Sequence, residues 1–194
     1  MDACFINAIA NEYPDNPNYQ IVQNYREFFE ALQYVIPSES FRYKYRNYLK
    51  HYPIEFHLEN RQTLTEWCRN VYQFEESCIY DPFIILQYAM AIAQHYPIKP
   101  NFQEVLLYKN FFLSLGNLYS KFHKRYLAYL RINPVDQSLS SREALQSWVN
   151  EFLRGVQSTD LTPALEHFST PFNYAMVVVP CLLIVAAVLV KNGL

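Results

Sequence analysis

The sequence predicts an all-α protein with two tandem four-helix-bundle repeats and one C-terminal transmembrane helix. Three observations indicate this: an internal repeat, apolar stripes at three- and four-residue steps, and a long uncharged segment near the C-terminus. Hydrophobic residues make up 51% of the chain and aromatic residues 17%, which is enough for a packed core. Three glycines argue against a dinucleotide-binding sheet or a Gly-rich phosphate loop, and a net charge of -2 gives no electrostatic case for nucleic acid.

The repeat has a spacing of 83 residues. Residues 8–32 align with residues 91–115 and are identical at 13 of 25 positions, where chance would give about one or two. Further identities extend the alignment. Arg42-Tyr43 matches Arg125-Tyr126 at the same spacing of 83. After a two-residue deletion the spacing is 81, and Pro53 matches Pro134 and Trp67 matches Trp148. We therefore predict one bundle over residues 1–78 and a second over residues 79–157.

Each copy has the pattern of four helices. The second and longest helix carries an apolar stripe, and the Tyr-Pro-x-x-Pro sequence before it ends a shorter first helix, because proline disfavours the helical conformation in the preceding residue. The other helices are predicted from about Ser40 to His51 and Phe122 to Ile132, and from near Asn60 and Ser140, which are N-cap residue types.

Residues 174–190 form an uncharged apolar run of 17 residues. As a helix rising about 1.5 Å per residue, this run would span roughly 25 Å, close to the roughly 30 Å hydrocarbon core of a bilayer. We predict that it is a transmembrane helix, that residues 158–173 are a linker, and that the N-terminal part lies on the cytosolic side.

The sequence contains no recognisable catalytic constellation. The cysteines at positions 4, 68, 78 and 181 form no C-x-x-C, and the five histidines are scattered without metal-ligand spacing. We predict no catalytic, cofactor-binding or metal-binding residue.

Two basic clusters are candidate interaction surfaces. In residues 41–52, four cations alternate with four tyrosines, a pattern that on a helix predicts an inward aromatic face and an outward basic face. The candidate surface residues are Arg42, Lys44, Arg46 and Lys50 in the first cluster, and Lys121, Lys124 and Arg125 in the second. Such residues can bind single-stranded nucleic acid, but we expect anionic headgroups or an acidic protein.

The two copies share one order of motifs: a short helix, A-x-x-Y-P-x-x-P, a long helix with F-F, a short helix, and P followed by L-x-x-W. This order, over residues 3–76 and again 86–157, resembles the flavin-dependent sulfhydryl oxidases of the augmenter-of-liver-regeneration family. The resemblance implies a helical bundle that binds FAD and passes electrons to it from a C-x-x-C disulfide. Because large cytoplasmic DNA viruses carry such oxidases, it also implies a viral source.

The family's reactive residues are missing from both copies. The resemblance places the redox cysteines at Ser38 and Phe41, and at Lys121 and Lys124, none of which is a cysteine. Other family positions also differ. The Trp and His of the family's first helix fall on Ala3 and Asn7 in copy 1, and on Leu86 and Met90 in copy 2. The H-N-x-x-N motif falls on Tyr72, Gln73 and Glu76 in copy 1, and on Leu153, Arg154 and Gln157 in copy 2. Thiol–disulfide exchange needs a thiolate, so we expect two pseudo-oxidase bundles without a cofactor.

We therefore expect a non-catalytic, membrane-anchored structural or interaction protein. Its expected role is that of a minor virion component between the capsid shell and the inner membrane of a large DNA virus. The expected partners are the membrane through residues 174–190, other structural proteins such as capsid proteins, and further copies of the chain. Two alternatives are an FAD-dependent sulfhydryl oxidase with relocated cysteines and a tail-anchored adaptor that contacts host proteins.

Overall fold

The computed structural model describes residues 2–72, 83–118 and 123–157, and every regular element within these ranges is helical. The all-α prediction is therefore confirmed for this part of the chain. The α-helices are α1 (Asp2–Asn11), α2 (Tyr19–Val35), α3 (Glu39–His51), α4 (Arg61–Tyr72), α5 (Ile84–Gln94), α6 (Phe102–Gly116), α7 (His123–Ile132) and α8 (Arg142–Gln157), and two 3₁₀ turns cover Ile54–His57 and Val135–Ser138.

The described residues belong to one compact unit, Met1–Leu161. The predicted linker at 158–173 and the predicted transmembrane helix at 174–190 lie outside the described residues. Within the described ranges, no helix is both long enough and apolar enough to cross a bilayer.

Side-chain caps define where several helices begin. The Asn18 side chain accepts a hydrogen bond from the Ile21 amide at 2.9 Å, and the Asn101 side chain accepts one from the Glu104 amide at 2.9 Å. Such caps satisfy amides that have no partner inside the helix. The predicted start of the fourth helix at Asn60 is close to the observed start of α4, whereas α8 begins after Ser141 rather than Ser140, because the Ser141 hydroxyl caps the Ala144 amide.

Trp67 and Trp148 lie at the centres of two similar aromatic clusters. The Trp67 indole N–H donates to the carbonyl of Tyr52 at 2.8 Å, and the Trp148 indole N–H donates to the carbonyl of Asn133 at 2.8 Å. The ring geometry also recurs: Phe29–Trp67 at 5.4 Å and Phe112–Trp148 at 5.6 Å, and Tyr45–Trp67 at 6.1 Å and Tyr126–Trp148 at 6.2 Å. Both clusters therefore combine edge-to-face packing with a satisfied indole donor.

Buried tyrosine hydroxyls donate to backbone carbonyls at matching places. Tyr13 donates to Leu58 at 2.7 Å, and Tyr96 donates to Leu139 at 2.8 Å. Burial raises the pKa of both phenols to about 12. Each phenol thus stays protonated and ties the end of a short helix to the turn before α4 or α8.

The hydrogen bonds of α3 and α7 correct the predicted register. Tyr45 donates to the Phe29 carbonyl at 2.8 Å, and Tyr126 donates to the Phe112 carbonyl at 3.0 Å. These two tyrosines are 81 residues apart, whereas the carbonyls that they bind are 83 apart. The two-residue deletion therefore precedes α3 and α7, and the pairing of Arg42-Tyr43 with Arg125-Tyr126 was wrong.

The two halves of the unit meet through equivalent residues. Phe5 of α1 stacks on Tyr88 of α5 with ring centroids 4.0 Å apart, and Phe28 of α2 contacts Phe111 of α6 at 5.8 Å. Each pair is separated by 83 residues in the sequence. Contacts between a residue and its own counterpart are typical of a two-fold interface.

Replacing Tyr45 or Tyr126 with phenylalanine should destabilise the protein by about 1–2 kcal/mol, because a buried hydrogen bond between the tyrosine hydroxyl and a helix carbonyl is lost. The free energy of unfolding of the full chain, measured by urea titration with far-UV circular dichroism, tests this. Tyr43→Phe is the matched control, since Tyr43 is 70% exposed. Equal stability of Tyr45→Phe and Tyr43→Phe would contradict the assigned role of the buried hydroxyl.

Candidate interaction surface

The redox positions inferred for copy 1 have structural roles in the described chain. The Ser38 hydroxyl caps α3 by accepting from the Phe41 amide at 3.3 Å. The Phe41 ring is buried, with its centroid 6.1 Å from that of Tyr45. Neither side chain can form or reduce a disulfide.

The redox positions inferred for copy 2 change with the register. At the corrected spacing of 81, Ser38 corresponds to Tyr119 and Phe41 corresponds to Phe122, rather than to Lys121 and Lys124. Lys121 lies outside the described residues, and Lys124 is exposed on α7. Thus the corrected positions also lack cysteine.

The residues around Trp67 do not fit a flavin. Its indole ring is 1% exposed and lies 5.4 Å from the Phe29 ring and 5.3 Å from the Tyr48 ring, measured between centroids. An isoalloxazine ring beside Trp67 would have to displace one of these side chains. Close packing of this kind resists such a displacement, because the interior has few voids larger than a water molecule.

The two described cysteines differ in redox state. Cys68 on α4 is a free thiol, is fully buried, and has its pKa raised well above the usual value by burial. Cys4 on α1 is disulfide-bonded. The sequence spacing did not predict this bond. Within the described ranges no three His, Cys, Asp or Glu side chains come together as a metal site.

Two cations of the first basic cluster hold the C-terminal end of α2. Arg42 donates to the carbonyl of Ile36 at 2.8 Å, and Arg46 donates to the carbonyl of Gln33 at 3.0 Å. Guanidinium groups stabilise these positions because the last carbonyls of a helix lack partners and carry partial negative charge. Part of the predicted outward basic face therefore stabilises the end of α2.

The tyrosines of the same cluster do not all face inward, which corrects the second half of that prediction. Tyr45 is buried and Tyr48 is half-buried, but Tyr43 is 70% exposed and Tyr52 is 54% exposed. Tyr43 lies two residues from Tyr45, and this step turns a helical side chain to the opposite face.

We define the α3 face as the exposed side of α3 formed by Tyr43, Lys44, Arg46, Asn47 and Lys50. The described structure gives Lys44 and Lys50 no ion pair. At the corrected register, the α7 residues Lys124, Arg125 and Arg131 occupy the places of Tyr43, Lys44 and Lys50. All three are exposed, so the two halves present similar basic surfaces.

A groove of about 630 Å³ lies between α2 and α6 and was not predicted. Its walls include Glu27, Tyr34, Asn110 and Asn117, and the Asn24 side chain donates to the Asn117 carbonyl across the two helices at 3.1 Å. The sequence signal for it was the pair of small residues Ala31 and Ser114, 83 positions apart in the two long helices. The groove holds no cluster of reactive groups.

Comparison with known proteins does not identify a family. No protein-family model matches the sequence, and no curated protein or solved structure is similar enough to count as a match.

Cys68 should resist alkylation in the folded protein and react when urea exposes it, because burial removes both access and thiolate. Cys4 should react only after a reductant has opened its disulfide. Mass-spectrometric mapping of iodoacetamide-labelled peptides, with and without urea and reductant, separates the two. Rapid labelling of Cys68 in the native protein would show that its thiol is accessible.

Proposed function

We propose that this chain is a non-catalytic, membrane-anchored structural or interaction protein built on a duplicated pseudo-sulfhydryl-oxidase scaffold. The observation that carries this proposal is that the inferred redox positions of copy 1 have structural roles. Ser38 serves as a helix cap and Phe41 as a core residue. A scaffold whose reactive positions have become packing and capping positions offers binding surfaces rather than chemistry.

Matching contacts support the duplication. The hydrogen bonds of Tyr13, Tyr45 and Trp67 each have a counterpart in the second half, donated by Tyr96, Tyr126 and Trp148. Phe5 and Tyr88, which are equivalent residues, also stack on each other. We infer that the two copies form a pseudo-dimer within one chain.

The membrane part of the proposal is supported by the sequence alone. Residues 174–190 are uncharged and long enough to cross most of a hydrocarbon core. A role between the capsid shell and the inner membrane of a large DNA virus rests on the resemblance to the viral oxidases. Other structural proteins, including capsid proteins, are the proposed partners.

Deleting residues 174–194 should release the protein from membranes, since the remaining chain has no comparable apolar run. The measurement is partition of the full and truncated chains between membrane pellet and supernatant after expression in the same cells. Extraction of both pellets with alkaline carbonate distinguishes insertion from surface adhesion. A truncated chain that still resists carbonate would rule out anchoring by this segment alone.

The second candidate is an FAD-dependent sulfhydryl oxidase with relocated cysteines. The specific observation in its favour is the disulfide at Cys4, which a redox enzyme could use. This candidate predicts visible flavin absorption in the detergent-solubilised full chain and oxygen consumption with dithiothreitol. Because the rings around Trp67 leave no space for isoalloxazine, we expect a colourless protein without oxidase activity. A stoichiometric flavin spectrum would favour the enzyme.

A further inference from the structure

We propose that the α3 face binds the headgroup surface of an anionic bilayer. This inference rests on the proposed membrane attachment, which would hold the helical unit next to such a surface. It adds the orientation of the unit: α3 lies against the lipid headgroups.

Charge segregation is the first argument. Residues 39–51 and 119–132 together contain eight of the 16 lysines and arginines, but only one of the 18 carboxylates. The rest of the chain is strongly acidic, with eight cations against seventeen carboxylates. The net charge of -2 therefore conceals two basic segments, one of which contains α3, on a protein that an anionic membrane would otherwise repel.

The arrangement on α3 is the second argument. Tyr43, Arg46, Asn47 and Lys50 follow steps of three and four residues, so they form one exposed stripe, which Lys44 flanks. The stripe is about 10 Å long at 1.5 Å per residue. A straight stripe on one helix can lie along a flat surface with Lys50 and the flanking Lys44 in contact, while the Arg46 side chain also donates to the Gln33 carbonyl.

The side-chain chemistry favours lipid headgroups. Lysine side chains are flexible and reach diffuse negative charge, while tyrosine has an apolar ring with a polar end, which suits the interface between headgroups and acyl chains. Tyr43 at 70% exposure sits among the cations of the stripe, and Tyr52 at 54% exposure follows the end of α3. At a bilayer, the apolar part of each ring can leave water while its hydroxyl stays hydrated.

The nearby carboxylates lie on one side of the stripe and at its N-terminal end, where Glu39 stands one helical turn before Tyr43. Glu30 and Glu55 line a hollow of about 310 Å³ together with Arg46 and Lys50. Glu30 also pairs with Arg26 at 3.2 Å, which reduces its effect on the stripe. Lys44 is not among the residues of this hollow, so Glu30 and Glu55 do not line the space around it.

Tryptophan fluorescence can detect this contact in the full chain. The two native tryptophans are buried, so a Tyr43→Trp variant adds one exposed reporter on the α3 face. The variant is reconstituted into phosphatidylcholine vesicles with brominated acyl chains, with or without phosphatidylserine. We expect quenching of the added tryptophan in the anionic vesicles, little quenching in the neutral vesicles, and recovery at high salt.

Tyr19→Trp is the matched control, because Tyr19 is 78% exposed at the start of α2, away from the basic cluster in sequence. Its quenching should not depend on phosphatidylserine. Equal quenching of Tyr43→Trp in neutral and anionic vesicles, or no quenching in either, would overturn the proposal. A response of Tyr43→Trp to a single-stranded oligonucleotide but not to anionic vesicles would also overturn it and indicate a nucleic-acid site.

Charge variants in the Tyr43→Trp background test the electrostatic part. Lys44→Gln or Lys50→Gln should each lower the equilibrium constant for docking on anionic vesicles about five-fold, as expected for one cation near such a surface. Lys99→Gln removes an exposed lysine outside α3 and should leave docking unchanged. A uniform effect of all three variants would mean that general charge, rather than the α3 face, controls contact.

Sedimentation of the same samples distinguishes the two proposals. If the chain pellets with both kinds of vesicle but the Tyr43→Trp signal is not quenched, the anchoring proposal survives and the α3 proposal fails. If the chain pellets only with anionic vesicles and the reporter is quenched, the α3 proposal survives without the anchor. If the chain pellets with neither, both proposals fail.

Discussion

The burial of large aromatic side chains with their polar ends satisfied is the constraint on which the fold depends. Trp67 and Trp148 are each surrounded by rings, and each indole N–H reaches a carbonyl at the C-terminal end of the preceding helix or just after it. An unsatisfied donor in this position would cost about 1–3 kcal/mol. The bond therefore determines how α3 packs against α4 and how α7 packs against α8.

Contacts between equivalent residues then join the two halves. Phe5 with Tyr88 and Phe28 with Phe111 bury α1 against α5 and α2 against α6. The helices α3 and α7 take no part in these pairs, and their outer sides remain exposed. Charged side chains, including the basic residues of α3 and α7, can occupy these outer sides, because charge does not have to be buried there.

The candidate site shows where sequence reasoning was limited. The cations of residues 42–50 were recognised from composition, but the carbonyls that Arg42 and Arg46 bind belong to the end of another helix. The sequence alignment also placed the two-residue deletion after Tyr43. It did so because Arg42-Tyr43 is identical to Arg125-Tyr126 at a spacing of 83, and the sequence alone does not distinguish this match from the true register. The hydrogen bonds of Tyr45 to Phe29 and of Tyr126 to Phe112 place the deletion before α3 and α7, since equivalent hydroxyls bind equivalent carbonyls.

Sequence alone determined the helical class, the main repeat spacing and the approximate helix starts, since apolar periodicity, proline and cap residues act over a few positions. It also showed that the inferred redox positions lack cysteine. Only the tertiary structure decided which cations are bound, which tyrosines are exposed, and that Cys4 is in a disulfide. These properties depend on side chains that are distant in sequence, and no local pattern specifies which of them meet.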